Sequence, residues 1–199
     1  FYQITLCNDF IRQSADDKVA ARGITGADAT NIKNYRAEAR FLRAYQYSIL
    51  MDLFANPPFA TEADLIGGPP PRRTTRAELF SYIESELKAL ETELVAAKTN
   101  EYGRADRAAA WSLLARIYLN AQVYTGTAKY TEAITYSKKV IAEYYSLVPD
   151  YRWLMLEDNQ QNTSEFLLTI NFDGTKTRHC GGTTFLTHDA IGGTMSASN

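Results

Sequence analysis

The chain has 199 residues, 45% of them hydrophobic and 22% charged, enough apolar material for one good-sized core. A net charge of −2 leaves no positive footprint of the kind nucleic-acid binding needs. No run approaches the roughly 20 apolar residues that cross a bilayer as a helix, and no signal peptide is visible.

The first predicted element is a helix from Phe1 to about Ser14, with Ile4, Cys7 and Ile11 on one side. The chain opens directly inside this amphipathic pattern and stops at Asn199 without a capping element, so it reads as a piece cut from a longer protein. A polar, glycine-containing connector, Asp16 to Asp28, follows, and Asp28 to Thr30 offers N-cap oxygens for a second helix ending near Phe54. In that helix Ala37, Phe41, Ala44, Tyr45, Ser48, Met51 and Leu53 cannot share one narrow stripe. A helix apolar around most of its circumference is packed on more than one side, which places it in the middle of a bundle.

The proline pair Pro57-Pro58 ends this helix, and a long loop with a Pro-rich stretch spans residues 55–75. Loops of this length are functional or pinned against the rest of the protein. Its Arg72-Arg73 pair reads as solvated rather than as a phosphate site. The third helix runs from Arg76 to about Ala97, with Leu79, Ile83, Leu87, Leu90 and Leu94 at helical spacing. Thr75 followed by Glu78 is the signature of a capping box.

Residues 103–144 read as two amphipathic helices folded back on each other. Trp111, Leu114, Ala115 and Tyr118 stand three, four and seven positions apart, hence on one face. The partner face is read as Tyr130, Ala133, Ile134, Ser137, Val140 and Ile141. This order of aromatic, aliphatic and small residues is the tetratricopeptide pattern, with its turn stretched by roughly half a dozen residues, Val123 to Lys129, over the usual repeat of about 34. Such pairs are scaffolds, so ligand chemistry is sought elsewhere.

After them the texture changes. Glu165 to Phe172 is β-like, Asp173-Gly174 is a turn signal, and Lys176 to Met195 is Gly- and Thr-rich without helical period. The fold expected is therefore mainly α, an α-α superhelix of tetratricopeptide-like pairs over 1–150, with an irregular strand and loop segment over 151–199. Thirteen tyrosines fit both helix packing and a binding surface.

These segments together resemble a family. Asn34 to Asp64, NYRAEARFLRAYQYSILMDLFANPPFATEAD, resembles the AEARFLRAxxYxxLxxxFGxxP segment of SusD/RagB-type outer-membrane glycan-binding lipoproteins. Gly103 to Gly126 is similar to that family's tetratricopeptide helix after a Gly-Arg start, and Leu156 to Ile170 to its N-x-S-E-hydrophobic strand start. Ile170 to Leu186, INFDGTKTRHCGGTTFL, resembles the starch-binding branch. The resemblance covers nearly the whole chain. It implies a surface-exposed outer-membrane protein, tethered by an N-terminal lipid, that binds starch, a maltooligosaccharide or a related glycan without catalysis. It also implies delivery of that ligand to a TonB-dependent transporter.

Carbohydrate binding needs flat rings and groups that pair with hydroxyls. The candidates are Lys176, Arg178, His179 and Cys180, against the reading of a structural loop. Starch-binding relatives carry an aromatic where this chain has Cys180, and His179 next to it could supply the ring. Trp111 is read as core; Trp153 is read as a packing residue, with a sugar platform as the alternative. Glu157 to Asn162 offers oxygens to calcium or forms a capped turn. Glu165 is read as a hydrogen-bonding residue that fixes the strand start. His179, Cys180, His188 and Asp189 lack the company a zinc or nucleophile site requires, and no carboxylate pair stands out for glycosidase work. Cys7 and Cys180 read as free thiols, with a disulfide as the other possibility. The competing function is a peptide-binding tetratricopeptide scaffold, and the long insertion at 59–75 argues against it.

Overall fold

The structure, a computed structural model, describes residues 1–64, 66–156 and 158–171. Phe1–Leu168 forms one compact unit; Thr169–Asn199 forms a second, of which only the first three residues are described. Among the described residues seven helices follow in order: α1 Tyr2–Gln13, α2 Asp16–Ala21, α3 Gly26–Phe54, α4 Arg76–Glu93, α5 Arg107–Leu119, α6 Ala121–Thr125 and α7 Tyr130–Ala142. Two short 3₁₀ turns, Tyr151–Met155 and Asn159–Gln161, come after them.

The 29-residue α3 is the centre, packing on α1 and α4 and touching α5, as its all-round apolar pattern requires. It buries Ala37, Ala39, Phe41, Ala44, Tyr47 and Met51, and with them the charged Arg43. Leu53, expected inside, points to solvent. The helix starts at Gly26 with Thr25 as N-cap and no side-chain cap bond, so the oxygens of Asp28 and Thr30 do not cap it. The connector before it also carries structure: Asp16 and Asp17 in the first turn of α2 complement the positive end of the helix.

α4 begins as predicted. Thr75 Oγ1 accepts from Glu78 N, and the Glu78 carboxylate accepts from Thr75 N at 2.9 Å. Its buried row Leu79, Phe80, Ile83, Leu87 and Leu90 contributes about 1.5–3 kcal/mol per side chain. The helix ends at Glu93, short of Ala97, because Leu94 turns to extended backbone and itself packs into the core. The connector is then tied to the start of α5: Asp106 caps α5 through Ala108 N and Ala109 N and accepts from Lys98 N at 2.7 Å.

α5 and α7 pack closely on each other, as the tetratricopeptide pattern implies, and part of the stretched turn between them is the five-residue α6. α5 buries Leu113, Leu114, Ile117 and Tyr118; Trp111 is half-buried against the core and donates to Glu91 Oε2 at 2.9 Å. The face of α7 differs from expectation. Ala133 and Tyr136 are buried, while Tyr130, Ile134, Ser137 and Ile141 are exposed. Polar anchoring decides this rotation: Tyr136 Oη donates to Glu91 at 2.7 Å, and Lys129 Nζ donates to Glu84 at 3.0 Å.

The expected strand at 165–172 forms no ladder over its described part, 165–171. An extended segment becomes a strand only where a second one completes its hydrogen bonds. The one bridge among the described residues is instead Pro58 with Arg73, inside the 55–75 loop.

Candidate functional site

Lys176, Arg178, His179 and Cys180 all lie outside the described residues, as do the Asp173-Gly174 turn and His188. What is described is the chain leading to them and a second excursion that sequence reasoning left vague.

The segment after α7 is a loop closed at its base. Ser146 N donates to Ser164 O at 3.0 Å, and Val148 N donates to Glu165 Oε2 at 2.8 Å. Glu165 therefore does what its position suggested, fixing the chain at the start of the extended segment, although it is half-buried rather than enclosed. Within this loop Asp150 caps the first 3₁₀ turn and pairs with Arg152. The turn holds Trp153 45% exposed and Tyr151 70% exposed, so Trp153 is not a core residue. Both aromatic side chains are accessible to solvent, and stacking on a sugar requires an accessible ring. The amides nearby are already spent: Asn162 Nδ2 donates to Trp153 O at 3.1 Å and Asn159 Nδ2 to Leu154 O at 3.1 Å. The described part of the oxygen-rich run, 158–162, is thus a turn built on Asn side chains. Among the described residues no group of three or more His, Cys, Asp or Glu gathers as metal ligands would.

The second excursion is the loop between α3 and α4. Its ascending limb is tied to three helices. Asn8 Nδ2 donates to Ala60 O at 3.0 Å, and Arg12 Nε donates to Glu62 O at 2.9 Å. The Tyr47 hydroxyl donates to Ala60 O at 2.7 Å while accepting from Ala60 N at 2.8 Å. Burial pushes that phenol up to about 12, so it stays a donor at any physiological pH. The Phe59 ring packs between Tyr47, tilted at a centroid distance of 5.3 Å, and Tyr82, edge-on at 4.8 Å.

Beneath the loop lies a charge network. Arg43, 2% exposed, reaches Asn8 Oδ1, the Glu62 carboxylate and Glu86 Oε2. Arg40 holds the other oxygen of Glu86 at 3.0 Å and pairs with Glu93. Burial alone would raise the Glu86 carboxyl, but the two guanidinium groups overcome it and hold it below the usual carboxylate range. Beside the network opens a polar cleft of about 480 Å³, lined among others by Ile11, Arg12, Lys18, Arg36, Arg40 and Glu86. Most of its charges are paired, as in Arg36 with Asp16 at 2.8 Å and Arg40 with Glu86 at 3.0 Å, and its lining holds no aromatic ring. It is a structural nest rather than a sugar platform. No sequence signal short of Arg at a core-facing helical position could have revealed it.

This architecture, paired helices carrying two tied-down excursions, defines a rigid scaffold that displays loops. Its relatives place it. Residues 18–119 match the SusD-like family profile described as "Starch-binding associating with outer membrane", and the chain belongs to that family. It is 39% identical over 188 residues to the starch-binding protein SusD of Bacteroides thetaiotaomicron, covering 93% of this chain and 32% of that protein. Among solved structures, a SusD superfamily protein of Bacteroides fragilis matches with a TM-score of 0.69 at 21% identity, over 90% of this chain and 37% of its own. Surface glycan-binding protein A of Bacteroides uniformis matches with a TM-score of 0.67 at 22% identity, over 85% of this chain and 36% of its own. At those identities the likeness concerns the fold. The chain spans about a third of the length of these relatives.

Proposed function

We propose that the protein is a non-catalytic, surface-exposed oligosaccharide-binding component of the outer membrane, tethered by an N-terminal lipid, that passes its ligand to a TonB-dependent transporter. The 39% identity to a starch-binding protein across 93% of the chain carries this reading. Starch, a maltooligosaccharide or a related glycan is the ligand class. Residues 151–199 contribute to the glycan face, with Lys176 and Arg178 donating to sugar hydroxyls and His179 offering a ring beside Cys180. The helical pairs serve as the frame that holds this face in place.

The test is a glycan array, maltooligosaccharides included, on the full-length protein without its lipid, followed by titration of Arg178→Ala and His179→Ala. Binding of α-glucans without turnover, weakened by both substitutions, supports the reading. Binding of another glycan keeps the import role and moves the specificity. Silence across the array sinks it and favours a peptide-binding scaffold.

A further inference from the structure

The chain leaves the helical frame for its second excursion just after α7, and two unusual features meet at that exit. Three non-glycine residues among those described have positive φ: Ala55, Lys98 at +62 and Tyr144 at +56. The latter two touch. Lys98 Nζ donates to Tyr144 O at 2.7 Å and stands 4.5 Å from the centre of the Tyr145 ring. A left-handed backbone is costly for a side chain as bulky as tyrosine and persists only where the surroundings fix it.

Both sides of the contact are fixed. Asp106, 5% exposed, accepts from Lys98 N at 2.7 Å and so pins Lys98 to the start of α5. On the other side Glu143 N and Tyr144 N close the last turn of α7 on Val140 O and Ile141 O, both at 3.1 Å. An ammonium at this place also complements the negative end of the helix. Burial, with Asp106 and Glu143 nearby, pushes the Tyr145 phenol up to about 12, so the ring under the cation stays neutral.

The frame itself does not depend on this contact. Asp106 caps α5 with its own oxygens, Tyr118 packs on Tyr136, and Lys129 and Lys139 hold α7 to Glu84 and Glu91. What Lys98 does fix is the direction in which the chain departs. Tyr144 stands two residues before Ser146, the first residue of the staple, and at the far end Leu168 packs against the core. Between these points lie the accessible rings of Tyr151 and Trp153. Apolar contact is non-directional, whereas a charge-assisted hydrogen bond to one carbonyl sets a direction.

We propose that Lys98 is a positioning residue for oligosaccharide binding: through Tyr144 and Tyr145 it sets the path of 146–168 and thereby presents Tyr151 and Trp153. The role rests on the oligosaccharide binding proposed above; the clamp rests on the contacts at the exit of α7.

The test titrates the full-length protein without its lipid with maltoheptaose, or with the strongest hit of the glycan array, comparing wild type, Lys98→Met and Lys98→Arg. Methionine keeps the stem and drops the charge. Without the clamp the competent path is one of several, and the apparent affinity falls with its occupancy, by about fivefold. Lys98→Met should show that loss with an unchanged melting temperature and faster amide exchange at Ser146 and Val148; Lys98→Arg should restore both. A merely structural lysine would lower the melting temperature and leave the dissociation constant of the folded protein where it was. Equal affinity in wild type and Lys98→Met therefore overturns the positioning role, and so does a loss that Lys98→Arg does not restore. A wild type that binds no glycan at all sinks the proposed function and the positioning role together, a failure distinct from binding that ignores Lys98.

Discussion

The two excursions from the helical frame are anchored in opposite ways. The loop at 55–75 sends Phe59, Glu62 and the carbonyl of Ala60 down into α1, α3 and α4 and leaves a proline tip outside. The segment 143–168 is stapled at its base by Ser146 and Val148, yet it keeps Tyr144, Leu147, Tyr151 and Met155 largely exposed. The first is part of the folded core in all but its tip; the second is held at its ends only. Long loops need not be loose, because the entropy of closing them grows slowly with length and a few buried bonds offset it. What separates the two is how many backbone groups are satisfied by buried side chains.

Arg43 should show the largest effect. Arg43→Leu removes the buried centre of the network and leaves the Glu62 carboxylate and Asn8 Oδ1 without their partner. Glu86 keeps Arg40, so the loss lies at the lower end of the roughly 3–5 kcal/mol seen when a buried pair is broken. Thermal melting with wild type alongside measures it, and a change under about 1 kcal/mol would mean the network is not buried in solution. The same network sets an acid limit. Glu86 is held below its ordinary value when folded, so its stabilisation is complete above the unfolded carboxyl value of about 4.3. It is lost as pH falls through the lower folded value. In Arg43→Leu one of the two guanidinium groups holding Glu86 is gone, so the acid midpoint of unfolding should move up.

Tyr47→Phe comes next. It deletes the hydroxyl that serves both the N–H and the carbonyl of Ala60, at a cost of about 1–3 kcal/mol for polar groups left unpaired. The expected signature is loosening of 55–64 with the α5–α7 pair untouched, read by amide exchange at Ala60. Equal exchange in both proteins would show that Asn8 alone holds the limb.

Much of this frame was legible in the chain. The Thr75 capping box, the proline stop after Phe54 and the surrounded character of α3 all follow from local rules. The rotation of α7 was not legible, because aliphatic positions alone cannot choose between Ile134 with Ile141 and Ala133 with Tyr136. Glutamates on α4, seven residues apart at Glu84 and Glu91, make that choice by binding Lys129 and Tyr136. Arg43 was hidden for a related reason: inside a helix, a buried arginine and a surface one look alike until the carboxylates facing it are known. The candidate ligand residues Lys176 to Cys180 rest on family resemblance alone.

Ala55 marks where the frame hands over to the first excursion, and it is strained. It caps α3 with φ +59 and ψ −66, where a Cβ is unwelcome, and the family segment has glycine at this place. Strain of this kind costs about 1–3 kcal/mol, against roughly 0.5–1 for the extra freedom glycine brings to the unfolded chain. Ala55→Gly is therefore expected to raise stability by about 1 kcal/mol, read as a higher melting temperature. A lower one would mean that the α3 C-terminus relaxes around alanine.

The smallest change tests the second excursion. Glu165→Gln keeps an oxygen for Val148 N but removes the charge that strengthens that bond, a loss of about 0.5 kcal/mol. Because the segment above the staple buries little, its opening is local and need not unfold the helices. The melting temperature should stay put while the amides of Val148 and Ser146 exchange about twofold faster, the factor that follows from such a loss. If instead the whole unit melts earlier, the second excursion is coupled to the core as tightly as the first. The contrast between a loop woven into the frame and one clipped onto it would then fail.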